Sequence, residues 1–145
     1  MLRKEYEVPQ RSALMTEHDR KRLWSLLQRQ RSRRAGRGAP LGRLGEFIRR
    51  ARVVGSHEIP RNVVTMNSIV RLRDLETGDR WTCALVYPDD ARSSALSVPI
   101  DRPLGQALLG KNVGQIIRSP RGAGVRRLRI QSVLYQPEAA GEDQL

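Results

Sequence analysis

Between Asp19 and Glu46 the chain holds no acidic residue, while Arg20, Lys21, Arg22, Arg29, Arg31, Arg33, Arg34, Arg37 and Arg43 all fall inside that stretch. Cations without counter-charges repel one another, so this part of the chain cannot be packed on every side. It must keep a long face in water or against an anionic partner. The imbalance is local: residues 1–55 carry 15 Lys+Arg and 5 acids, residues 56–145 carry 12 and 10, and the whole chain has a net charge of +12. The composition therefore describes a cationic N-terminal third on a nearly neutral body. Such a field draws polyanions or acidic protein surfaces with strong salt dependence; without a partner it is a solvated basic face.

A length of 145 residues with 39% hydrophobic content suits one domain, or a small domain with an appendage. One cysteine excludes an intramolecular disulfide, and with two isolated histidines it leaves no zinc-ribbon pattern. No run of 18 apolar residues is present, and the charged start Met-Leu-Arg-Lys-Glu-Tyr-Glu lacks the apolar core of a secretory signal. The expectation is a cytoplasmic protein with no membrane partner.

Residues 1–15 show no period and contain Pro9, which reads as a flexible leader. Thr16 followed by Asp19 has the spacing of a capping box, and two acids in the first turn suit the helix dipole. Leu23, Trp24, Leu26 and Leu27 form the apolar cluster of this helix, and beyond them Gln-Arg-Gln-Arg-Ser-Arg-Arg has nothing to bury. Ala35 to Pro40 breaks the helix, and Leu41, Leu44, Phe47, Ile48 and Ala51 recur at helical spacing after it. Residues 16–54 thus read as a short, basic, antiparallel helical hairpin, a stubby coiled coil reaching on the order of 25 Å. Gly42 and Gly45 weaken the start of its second helix.

From residue 55 the pattern turns to β. After a linker from Val53 to Pro60, strand propensity is found in Val63–Met66, in Ile69–Arg73 and in Arg80–Tyr87, where Trp81, Cys83, Leu85 and Tyr87 share a face. A polar loop, a short strand at Leu96–Ile100, a short helix at Pro103–Gly110 and a hairpin turn at Pro120–Gly124 follow, then a last strand from Val125 to Tyr135. The fold class is α+β: a helical hairpin, then a body at 55–136 with a curved antiparallel sheet and one short helix, then a flexible acidic tail at 137–145.

Catalytic and cofactor patterns are missing. His18 and His57 stand apart; Cys83 is a core thiol, and Asp89-Asp90 reads as a solvated turn rather than a cation site. The Gly-rich Pro120–Gly124 lacks the spacing and the following helix of a phosphate loop. No metal ligands, no cofactor and no catalytic residues are expected, and the chain does not read as an enzyme.

The segment from Ser97 to Gly114, with Pro103-Leu104-Gly105-Gln106-Ala107-Leu108-Leu109-Gly110 at its centre, resembles the FKBP-like C-terminal domain of the GreA/GreB transcription elongation factors. Met66–Val70, Asp74–Gly78, Leu85–Pro88 and Leu134–Gly141 resemble more narrowly the Rnk-like branch, regulators of nucleoside diphosphate kinase with a shortened coil. The resemblance implies a binder of bacterial RNA polymerase. In the cleavage factors the FKBP-like domain docks at the rim of the secondary channel, and two carboxylates at the coil tip hold a catalytic magnesium ion. By that analogy Pro103, Leu104, Gly105, Leu108 and Gly110 mark the docking region, although Leu104, Ala107, Leu108 and Leu109 also suit ordinary core packing. Prolyl isomerase activity does not follow from the FKBP-like likeness, because Trp81, Tyr87 and Tyr135 are the only aromatics of the body and the first two are explained by the sheet.

At the expected tip, between Arg33 and Leu41, this sequence has arginines where the cleavage factors have acids. Guanidinium groups repel magnesium, which takes oxygen ligands. The expectation is a non-catalytic polymerase-binding regulator that leaves transcripts uncut. Two alternatives stand beside it: a nucleic-acid binder acting through Arg29, Arg31, Arg33, Arg34 and Arg37, and a direct regulator of nucleoside diphosphate kinase.

Overall fold

The structure is a computed structural model that describes residues 13–33, 42–91 and 96–143, the side chains of Ser32 and Arg33 excepted. The elements in chain order are β1 (Leu14–Met15), α1 (Glu17–Arg33), α2 (Gly42–Arg50), β2 (Arg52–Val53), β3 (Ile69–Asp74), β4 (Arg80–Val86), β5 (Ser97–Pro99), α3 (Pro103–Leu108), β6 (Ile116–Arg121), β7 (Gly124–Tyr135) and α4 (Pro137–Ala140). The α+β class expected from sequence is what the chain adopts.

One sheet organises the body, with strand order β5-β4-β3-β7-β6. Alternation sets its faces: in β3 Val70 and Leu72 are buried while Arg71 and Arg73 are exposed. In β4 Cys83 and Leu85 point into the same core, as the sequence spacing predicts, with Trp81 half-buried. Register shifts between β3 and β7 bend the long last strand and curve the sheet. The sheet is not wholly antiparallel, because β5 pairs with β4 in parallel through Ala84–Val86 and Ser97–Pro99.

The helical hairpin is not an appendage. Leu23, Leu26 and Leu27 of α1 and Leu44, Phe47 and Ile48 of α2 belong to one buried cluster with Val70, Leu72, Cys83, Leu128 and Ile130 of the sheet. The expected capping contact is present, with the Asp19 N–H donating to Thr16 Oγ1 at 3.2 Å. Trp24 departs from expectation: it is 43% exposed. On a helix Leu23, Leu26 and Leu27 share an arc, and a residue one step on from Leu23 points about 100° away.

Four further expectations are corrected. The leader is ordered at its end, where Leu14–Met15 pair in parallel with Arg52–Val53 and Met15 is buried; residues 1–12 lie outside the described residues. The linker is partly structured too, with β2 and a 3-10 turn at Ser56–Glu58. Val63–Met66 makes no strand beyond a single bridge from Val63 to Asn112, because its backbone bonds serve a turn: the Val64 N–H donates to the Lys111 carbonyl and the Gly110 N–H to the Val64 carbonyl. The acidic tail begins with a helix, α4 at Pro137–Ala140, where a flexible segment is expected. There Gln136 Nε2 donates to the carbonyls of Pro60 and Val63 at 2.7 and 2.8 Å, and buried Glu138 accepts from Thr65 Oγ1 at 2.6 Å. Burial pushes the Glu138 carboxyl above its ordinary range, against the Thr65 bond.

Candidate functional site

The basic prong begins where α1 leaves the core. Arg29 and Arg31 are exposed beyond Leu27, as expected of a stretch with nothing apolar to bury, and Arg33 ends the helix. Arg34, Arg37 and the breaker at residues 35–40 lie outside the described residues. Near the start of α1, Arg20 donates to both carboxylate oxygens of Glu17 at 2.9 and 2.8 Å, which holds Glu17 below its ordinary value.

Polar contacts tie the base of the prong to the body. The Tyr87 hydroxyl donates to Asp19 Oδ1 at 2.8 Å, joining the first turn of α1 to the end of β4. Arg22 lies over the Tyr87 ring at 3.8 Å from its centroid and reaches Asp90 at 3.6 Å. Burial pushes Asp19 up to about 6, against the pull of the Tyr87 bond and of Arg22. The Tyr87 hydroxyl is raised well beyond its ordinary range by the same burial and by the Asp19 charge.

The residues around α3 divide by accessibility. Pro103 is exposed and Leu104 half-buried against the core, whereas Gly105, Leu108 and Gly110 are buried. Gly105 lies so close to the Pro99 carbonyl that a Cβ there would overlap it. Gly110 has φ +80°, and a Cβ on it would strike the Phe47 ring of α2. The conspicuous glycines thus seat α3 on β5 and α2 on the body, and Leu108 is core. Of the five residues singled out here by sequence, Pro103 and the outer part of Leu104 are left for a partner to touch. Asp101, two residues before Pro103, escapes sequence reading; its Oδ1 is buried with no hydrogen-bond partner among the described residues. A lone Asp in a turn gives no sequence signal of that kind.

A trough runs from this surface along α3 and β6 to the N-terminus of α2. One end is lined by Pro103, Gln106, Pro120 and Val125, with Val125 58% exposed, and by Arg43 and Arg118, which line both ends. The other end is a cleft of about 670 Å³ whose walls carry Arg43, Arg50, Lys111 and Arg118. This grouping too escapes sequence reading, since the four residues come from α2, β6 and the turn after α3.

Among the described residues no group of three or more His, Cys, Asp or Glu could hold a metal ion. Cys83 is buried, and its thiol is pushed up to about 11 by that burial. Asp89 and Asp90 sit in a 3-10 turn at Pro88–Asp90, with Asp90 engaged by Arg22. No helix among the described residues is long and apolar enough to cross a membrane.

Comparison with known proteins accords with this architecture. The family described as "Transcription elongation factor, GreA/GreB, C-term" matches residues 52–135. The regulator of nucleoside diphosphate kinase of Escherichia coli strain K12 is 39% identical over 100 residues, covering 68% of this chain and 74% of that protein. Transcription elongation factor GreA of Thermotoga petrophila is 27% identical over 97 residues, covering 67% of this chain and 62% of that protein. A solved GreA/GreB elongation factor from Nitrosomonas europaea superposes with a TM-score of 0.73 at 36% identity, covering 86% of this chain and 99% of that one. A family pattern over more than half of the chain, with the same body in a solved relative, settles kinship: the chain belongs to the GreA/GreB transcription elongation factor family, with the regulator of nucleoside diphosphate kinase among its relatives.

Proposed function

We propose that this protein is a non-catalytic transcription regulator that binds bacterial RNA polymerase near the secondary channel through its body and leaves transcripts uncut. The observation that carries this reading is the acid-free stretch from Arg20 to Gly45. A magnesium ion that activates water or an RNA 3′ end needs carboxylate oxygens at the end of the prong. The last carboxylate on α1 is Asp19, buried in the first turn under Tyr87 and about 20 Å of helix away from Arg33.

The docking surface is Pro103, the outer part of Leu104 and the adjoining Pro120 and Val125, with Arg43 and Arg118 lining the same depression. Exposed apolar contact flanked by arginines suits an acidic protein surface. The prong then supplies steering, because Arg29 and Arg31 stand free of the core. The FKBP-like reading of the body rests on the sequence resemblance.

A second reading, direct contact with DNA or RNA, is favoured by the exposure of those same arginines. A direct contact with nucleoside diphosphate kinase is a third, resting on the relative's name. A pull-down against polymerase, duplex DNA, RNA and the kinase, repeated across salt, separates the three. Polymerase capture that survives replacement of Arg29, Arg31, Arg33, Arg34 and Arg37 by Gln supports docking through the body. Binding to nucleic acid alone, abolished by the same replacements, would replace this reading with the second.

A further inference from the structure

We propose that the cleft between α2, α3 and β6 is a binding site for a polyphosphate group, two or more linked phosphates, either free or carried by a nucleotide. Four cations from three places in the chain converge there: Arg43 and Arg50 on α2, Lys111 just after α3, and Arg118 on β6. Glu46 also lines the cleft but is engaged by Arg49, one turn along α2. None of the four cations has an ion pair among the described residues.

Their closeness has a measurable consequence at Lys111. Its ammonium is held below the ordinary lysine value, first by burial and then by the charges of Arg50 and Arg43. Like charges gathered in a half-buried cleft destabilise the fold unless something neutralises them. A carboxylate from the chain is the usual solution, and the one that lines this cleft, Glu46, is paired with Arg49 and is outnumbered by the four cations. The N-terminus of α2 at Gly42 opens on the same cleft, with no acid in its first turn to answer the positive end of the helix dipole. These features add to one demand, a multiply charged anion.

The shape selects the kind of anion. A concave site of about 670 Å³ is in the range of small-molecule sites. Long polyanions are better served by the solvent-facing Arg29 and Arg31 of α1. Phe47, Ala107, Leu109 and Ile117 line the cleft as well, so it joins apolar surface to its cations. Four cations on separate elements match a ligand carrying several linked phosphates better than one carrying a single phosphate.

The test is calorimetric titration of the full chain with tripolyphosphate, ATP, orthophosphate and a short DNA duplex at low salt. Saturable binding of one tripolyphosphate per chain is expected, with orthophosphate at least about tenfold weaker. The double variant Arg50→Gln/Lys111→Gln should weaken tripolyphosphate by about tenfold or more, while Arg29→Gln/Arg31→Gln changes it by less than about twofold. Thermal unfolding of each variant without ligand reports whether it folds; Arg118→Gln, an exposed change on β6, repeats the test if the double variant does not. ATP binding more tightly than tripolyphosphate identifies a nucleotide-borne ligand, and equal affinity identifies the phosphate chain itself. The proposal is overturned by no saturable binding, by equal loss in the prong variant, or by duplex binding that needs the cleft while tripolyphosphate does not bind.

Discussion

Replacing Asp19 by Asn should change how the stability of this protein depends on pH. Asp19 is 7% exposed and accepts from the Tyr87 hydroxyl, and burial raises it from 3.8 to about 6. A carboxyl whose folded value lies above its unfolded value binds protons more tightly in the native state. Its contribution is therefore full below about 4 and is lost as pH rises through about 6. That rise corresponds to roughly 3 kcal/mol, of which about 2 kcal/mol falls between about pH 4.5 and 7.5. Asn keeps an acceptor for Tyr87 and removes the titration. Urea unfolding of both proteins across that range, followed by tryptophan fluorescence, gives the difference directly. The wild type should lose about 2 kcal/mol relative to Asp19→Asn as pH rises. A difference that stays flat, or that grows in favour of the wild type, would refute the claim that burial dominates at the base of the prong. Asp74, held low by N–H bonds from Glu76 and Thr77, titrates with the opposite sign but is common to both proteins and cancels.

Three other outcomes are expected. Gly110→Ala places a Cβ against Phe47 at a backbone φ of +80° and should lower unfolding free energy by about 3 kcal/mol in the same urea assay. Thr65→Val leaves the buried Glu138 carboxylate without its hydroxyl donor; a loss of about 1 to 3 kcal/mol is expected at neutral pH, shrinking as the solution is acidified and Glu138 becomes neutral. Arg29→Gln/Arg31→Gln should leave polymerase capture intact at moderate salt while flattening its salt dependence, read from association rates at two ionic strengths.

Strong periodicity is legible in the sequence, and isolated partnerships are not. The alternation of Val70 and Leu72 with Arg71 and Arg73, and the Thr16 cap three residues before Asp19, both point to the elements the chain adopts. Asp19 reads locally as a helix-start acid and no more, since nothing near it marks its reach of 68 residues to Tyr87. Leu14–Met15 is too short to show a period, and Glu138 signals solvent in any composition-based reading although it is buried against Thr65. The Pro103–Gly110 motif is conspicuous for a reason that concerns packing: its glycines permit close approach to Pro99 and Phe47. The cationic cleft is invisible in the sequence because proximity of Arg43, Arg50, Lys111 and Arg118 is created by tertiary structure alone.

The central claim is that a prong with no carboxylate between Asp19 and Glu46, on a body proposed to dock on polymerase, does not support metal-dependent cleavage. Its most direct measurement is the length of the RNA in a backtracked elongation complex, incubated with magnesium and with this protein at a concentration that saturates polymerase capture. The RNA 3′ end should stay intact over the time in which a cleavage-competent family member shortens it. Shortening by this protein at neutral pH would contradict the account.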